Sequence, residues 1–205
     1  MRHVKKAKKY WKRFRDFLNE DSLLSWIANV ALAFVLIKFI VYPALGLVFG
    51  TQYPIVAVVS GSMEHPGSFD DWWSEPAVLD GTTVTQGEYY ASTGIAKEEF
   101  GDFPFSNGFN TGDIMILRGI EPDKIDVGDI IVFRSSSQDP IIHRVIEKDI
   151  NEGEVTFTTK GDNNPQSYGF ETGISEDVVI GKAIFRIPWL GYVKIWFFKI
   201  IGFII

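Results

Sequence analysis

From Leu23 to Phe49 the chain reads LLSWIANVALAFVLIKFIVYPALGLVF, apolar on every helical face and interrupted only by Lys38. The stretch is longer than the roughly 20 residues a helix needs to cross a hydrocarbon core. Pro43 is expected to bend or end that helix. Beyond residue 50 the pattern changes to short β-branched runs at residues 54–59, 113–118, 129–134, 141–147, 154–160 and 178–187, separated by Gly, Asn, Asp and Ser. Such runs with turn residues between them predict strands, and no 3.6-residue amphipathic pattern competes with them. The expected fold is therefore mainly β, a coiled antiparallel sheet behind an N-terminal transmembrane helix. A last apolar stretch, residues 189–205 (WLGYVKIWFFKIIGFII), carries Lys194 and Lys199 and is expected as a helix that spans the membrane or lies in its interface.

Residues 64–111 break the strand pattern. They are rich in Gly, acids and aromatics, among them Phe69, Trp72, Trp73, Tyr89, Tyr90, Phe100, Phe103, Phe105 and Phe109. A structureless loop of this length is uncommon in a compact domain. An ordered insertion is expected, either packed as core, shaping a cleft or touching a membrane interface. The chain thus divides into a basic arm (1–21), an anchor (22–49), a β domain (50–188) with its insertion (64–111), and a C-terminal apolar helix (189–205).

Charge adds an orientation. Residues 1–15 hold eight Lys or Arg and no acid, whereas the rest holds 12 basic and 26 acidic residues. A basic arm that runs directly into an apolar span fits positive-inside anchoring, with the arm cytoplasmic and the β domain on the outer face of the cell membrane. The acidic remainder argues against a nucleic-acid partner. The apolar stretch is too long for an ordinary signal-peptide core, and no small-x-small site clearly follows it, so a retained anchor is expected. The absence of cysteine excludes disulfides, thiolate metal sites and cysteine nucleophiles.

Three short segments hold candidate chemistry. Ser60-Gly61-Ser62-Met63 follows a predicted strand; such residues form turns, but a serine there can also act as a nucleophile. A serine needs a base, and imidazole titrates in the useful range. His143, inside a predicted strand, and His65, three residues from Ser62, both qualify on chemistry alone. Lys160 is a minor third option. Lys160-Gly161-Asp162-Asn163-Asn164 reads as a turn whose carboxylate could fix the tautomer of a nearby imidazole.

The ordered set SGSME, GDIMILR, VGDIIVFR, IIHRV, TKGDNN and VVIGKAIFRIPWLGYVK resembles type I signal peptidase, and in particular its archaeal and endoplasmic-reticulum branch, where histidine replaces the lysine base of the bacterial enzymes. The resemblance implies a membrane-bound serine endopeptidase that removes signal peptides from exported preproteins. It implies Ser62 as nucleophile, His143 as general base, and an oxyanion hole from the Ser62 N–H with the Ser60 hydroxyl. It also implies small residues at the −3 and −1 positions of the substrate, and no cofactor or metal. The acid is less defined. The family pattern places further aspartates after Gly-Asp-Asn, where this chain reads Pro165-Gln166-Ser167-Tyr168-Gly169-Phe170-Glu171. Asp162 is the expected acid by default, with Glu171 as a substitute, or a Ser/His pair working without an acid, as the alternatives. The competing readings are an anchored, non-catalytic β domain that binds a partner through its aromatic insertion, and a processing protease dedicated to pilin-like or surface precursors.

Overall fold

The computed structural model describes residues 2–135, 139–192 and 195–196, so most of the apolar C-terminal stretch lies outside the described residues. The chain separates into two units, Met1–Val48 and Phe49–Ile205. In the first, α1 (Arg2–Leu18) precedes the apolar helix, which comprises α2 (Leu23–Leu36), a π-helical turn (Ile37–Val41) and α3 (Tyr42–Phe49). These last three form one rod, Leu23–Phe49, long and apolar enough to cross a membrane. Pro43 neither ends nor breaks this helix. It lacks an N–H and crowds the preceding turn, and the chain answers with the wider π turn immediately before it. Gly50, at φ +65°, stops the helix.

The second unit is built on one seven-stranded antiparallel sheet. Its strands are β1 (Ile55–Ala57), β4 (Ile114–Arg118), β5 (Ile130–Phe133), β6 (Ile141–Asn151), β7 (Glu154–Lys160), β8 (Ile174–Ser175) and β9 (Val179–Ile187). They lie in the order β1-β4-β9-β5-β6-β7-β8, which leaves β1 as an edge. Register shifts in the β4–β9, β5–β9 and β6–β7 pairs bend the sheet, as bulges do. The β6–β7 hairpin turns through Glu152 and Gly153, both at positive φ, the combination a two-residue primed turn requires. Side chains alternate across β6: Ile142 packs with Val58, Met63, Met115 and Val132, while Val145 packs with Ile131, Phe133 and Phe157 on the other face.

The insertion is ordered. It contains α4 (Phe69–Trp73), a hairpin of β2 (Pro76–Leu79) and β3 (Thr82–Thr85), then α5 (Gln86–Ser92) and α6 (Lys97–Asp102). Reciprocal caps, Ser68 with Asp71 and Thr85 with Glu88, start α4 and α5 and satisfy their first N–H groups. Trp72, Tyr90 and Phe100 are fully buried with Ala77, Tyr89 and Ile95 in a separate core. Ile146, left unpaired where the β6 register passes from Val145 to Glu147, also belongs to this core. Most of the aromatic rings of the insertion are therefore core.

Candidate active site

Ser62 lies just beyond β1, in a turn where the Glu64 N–H donates to the Gly61 carbonyl. The turn is held from outside by one residue of the β7 loop. Asn163 donates its N–H to the Ser62 carbonyl (2.8 Å) and its side-chain amide to the Gly61 carbonyl (3.1 Å). Met63, fully buried, pins the other side and accepts the Asp162 N–H on its sulfur. The Ser62 N–H makes no hydrogen bond among the described residues. The Ser60 hydroxyl lies 3.2 Å from Ser62 Oγ.

His143, on β6, is buried and places Nε2 3.0 Å from Ser62 Oγ. Its other ring nitrogen, Nδ1, bonds Glu171 Oε1. Glu171 ends the short turn Gly169–Glu171 and is fully buried. The Thr159 hydroxyl reaches the same oxygen at 3.3 Å, and the Tyr168 N–H donates to Oε2 at 3.0 Å. With the proton on Nδ1, the ring donates to Glu171 and presents a lone pair on Nε2 to the serine hydroxyl. Gly161 makes this approach sterically feasible, since a Cβ there would sit 2.8 Å from His143 Nε2 and 2.6 Å from the Asn164 amide nitrogen.

Asp162, the default acid, is engaged elsewhere. Arg144 Nε and Nη2 bind its two oxygens at 2.9 and 2.7 Å, the Tyr90 hydroxyl donates to Oδ1 at 2.9 Å, and His65 Nε2 lies 3.0 Å from Oδ2. Strand alternation explains this, because Arg144 points to the face of β6 opposite His143. Burial pushes the Asp162 carboxyl up, but the Arg144 charge and the hydrogen bonds from His65 and Arg144 outweigh it and hold the carboxyl well below the usual carboxylate range. Arg144 also donates to the carbonyls of Pro104, Phe105 and Gly128 and lies over the Phe100 ring. The insertion is thus fastened to the sheet through this ion pair. His65, the rival base, belongs to the same cluster; its ring stacks on Trp72 at 3.7 Å between centroids.

Lys160 is fully buried and donates to Gln86 Oε1 (2.7 Å) and to the carbonyls of Gly161 and Asp162. Burial pushes its ammonium down to about 7, against the opposing pull of Asp162 and Glu171. Its partners are those of a structural strut under the 161–164 turn. Among the described residues no group of His, Asp or Glu side chains could hold a metal ion. Arg144, Asn163 and Thr159 all position the site, and the sequence reading missed them. Arg144 had one signal, its place beside His143 on a strand.

No protein-family model matches the chain. Over 187 residues it is 29% identical to the signal peptidase complex catalytic subunit SEC11C of Homo sapiens, covering 87% of this chain and 74% of that one. SEC11 of Scheffersomyces stipitis is 27% identical over 177 residues, 81% of this chain and 79% of its own. The chain is a homologue of the signal peptidase catalytic subunits. These homologues belong to the endoplasmic-reticulum and archaeal branch of the type I signal peptidases. A further relative, SEC11 of Pyricularia oryzae, is 35% identical over 95 residues, 42% of this chain and 55% of that one. The coiled antiparallel sheet and the apolar N-terminal helix match the architecture expected from the resemblance. The Ser62–His143 pair lies within that sheet unit, and Glu171 stands where the sequence departs from the family pattern.

Proposed function

We propose that this chain is a signal peptidase whose reaction runs through Ser62, His143 and Glu171. The serine endopeptidase activity itself follows from the homology. The observation that supports this assignment of roles is the continuous hydrogen-bonded line from Ser62 Oγ through both ring nitrogens of His143 to the buried Glu171. Ser62 attacks the scissile carbonyl as His143 Nε2 takes its proton. The imidazolium is stabilised by Glu171, which also fixes the ring's tautomer, and then protonates the leaving amine. Water hydrolyses the acyl-enzyme by the same route in reverse. The Ser62 N–H and the Ser60 hydroxyl serve the developing oxyanion, and loss of one such donor costs roughly 10²–10³ in turnover.

The substrates are exported preproteins. The free edge of β1 leads directly to Ser62 and suits an extended peptide, which would add as a strand with alternate side chains in shallow pockets. Leu23–Phe49 anchors the chain, and the basic arm before it sets the N-terminus in the cytoplasm with the sheet unit outside.

Cleavage of a model preprotein in detergent or liposomes tests the assignment. Ser62→Ala and His143→Ala are expected to lose activity about 10⁴-fold or more, while His65→Ala retains it in proportion to folded protein. A Ser62→Ala variant that cuts as well as wild type would sink the proposal.

A further inference from the structure

Helix α1 is more than a basic tag. It spans Arg2–Leu18 (RHVKKAKKYWKRFRDFL) and ends in a turn before Ser22 caps α2. Heptad spacing puts Ala7, Trp11, Phe14 and Leu18 on one face and Lys9 and Lys12 on the opposite one. Trp11 is 68% exposed and Phe14 44%, their rings 6.2 Å apart. A stripe with two large aromatics open to water, on a helix that carries Lys6, Lys8, Lys9, Lys12, Arg13 and Arg15, has no aromatic or ionic partner among the described residues of α2 and α3. The charges also run against the helix itself, since its first turns hold Arg2, Lys5 and Lys6 and no acid, where the macrodipole favours anions.

The corner between α1 and the anchor is built with the only polar side chains of the anchor's first two turns. Ser25 Oγ and Asn29 Nδ2 both donate to the Leu18 carbonyl, each at 2.8 Å. The end of α1 thus has its carbonyl satisfied without water, beside the beginning of the apolar rod. This is what a helix entering the boundary between headgroups and acyl chains needs.

We propose that α1 is an interfacial helix that lies on an anionic phospholipid surface, with Ala7, Trp11, Phe14 and Leu18 in the acyl boundary and the lysines and arginines among the headgroup phosphates. The occupant is a lipid surface rather than a protein or nucleic acid. The aromatic stripe ends at the anchor's own entry point, and aromatic and cationic residues are the pair that an anionic interface accommodates. The inference rests on the anchor reading of Leu23–Phe49.

The chain has no cysteine, so single-cysteine variants of the full-length protein can carry nitroxide labels at Lys9, Trp11, Lys12, Phe14 and, as anchor control, Val35. Accessibility to oxygen and to a water-soluble nickel complex is then read in phosphatidylglycerol-rich and in pure phosphatidylcholine vesicles. In the anionic vesicles, positions 11 and 14 are expected on the lipid side and 9 and 12 on the water side. That contrast is expected to shrink in the neutral vesicles and in high salt. Uniform water exposure of all four positions, with Val35 in lipid, would overturn the proposal and leave the anchor standing. An equal contrast in both vesicle types would overturn the anionic requirement. A water-exposed Val35 would overturn the anchor reading and this inference with it.

Discussion

Asp162 and Glu171 are both fully buried, and each is surrounded by donors, but they face different partners. Glu171 touches the imidazole that touches the serine, whereas Asp162 neutralises Arg144 and gathers His65 and Tyr90. Breaking a buried ion pair by removing one partner costs about 3–5 kcal/mol, so Asp162→Ala is expected to lower stability by that order, read as a shift in the denaturation midpoint. Because the Asp162 carboxyl is held below its unfolded value, its contribution is complete above about pH 4 and is lost as the pH falls further. Lys160 shifts in the same direction, in a higher pH window. Its folded value of about 7 lies below the unfolded 10.5, so the unfolded chain binds the extra proton between these limits and stability rises with pH across that window. Lys160→Met should flatten that rise in denaturation curves measured at pH 7 and pH 9. Ser62 and His143 could be proposed from the sequence because each residue sits in a motif. Which acid reaches the imidazole could not, since it depends on which face of β6 meets which loop.

At the scale of elements, each of the six predicted strands lies close to an observed one, while β8 and the β2–β3 hairpin carried no strand signal that was read. Residues 154–160 match β7 end to end, and β6 runs on from the predicted 147 to Asn151. Their β-branched runs are dense enough to decide the backbone locally. The insertion was not readable in the same way. Its helices have five to seven residues, too short to display a 3.6-residue period. The signals that could have found them were the capping pairs Ser68/Asp71 and Thr85/Glu88. The insertion is packed through Trp72, which stacks on His65 and donates its indole N–H to the Asp162 carbonyl. Trp72→Ala is expected to cost about 3–5 kcal/mol and to reduce cleavage in step with the loss of folded protein, checked by comparing activity with the melting temperature. A variant with full stability and no activity would instead give the insertion a direct part in substrate binding.

For the whole molecule, an edge-strand sheet with a serine at the end of its first strand follows an apolar rod by a few residues of chain. That order suits the proposed action on segments as they leave a bilayer; the rod was legible from hydropathy, the place of the serine only from its motif. The sheet's curvature was expected as a consequence of fold class, but the bulges that create it leave no mark in the sequence. What the structure adds is the line from Ser62 through His143 to Glu171, and the most direct test is single-turnover cleavage by Glu171→Gln beside Asp162→Asn, each confirmed as folded. The account predicts that Glu171→Gln loses about 10⁴-fold, as an amide there selects the wrong imidazole tautomer, while folded Asp162→Asn retains most of its rate. Wild-type cleavage by Glu171→Gln, with the rate lost instead in Asp162→Asn, would contradict it.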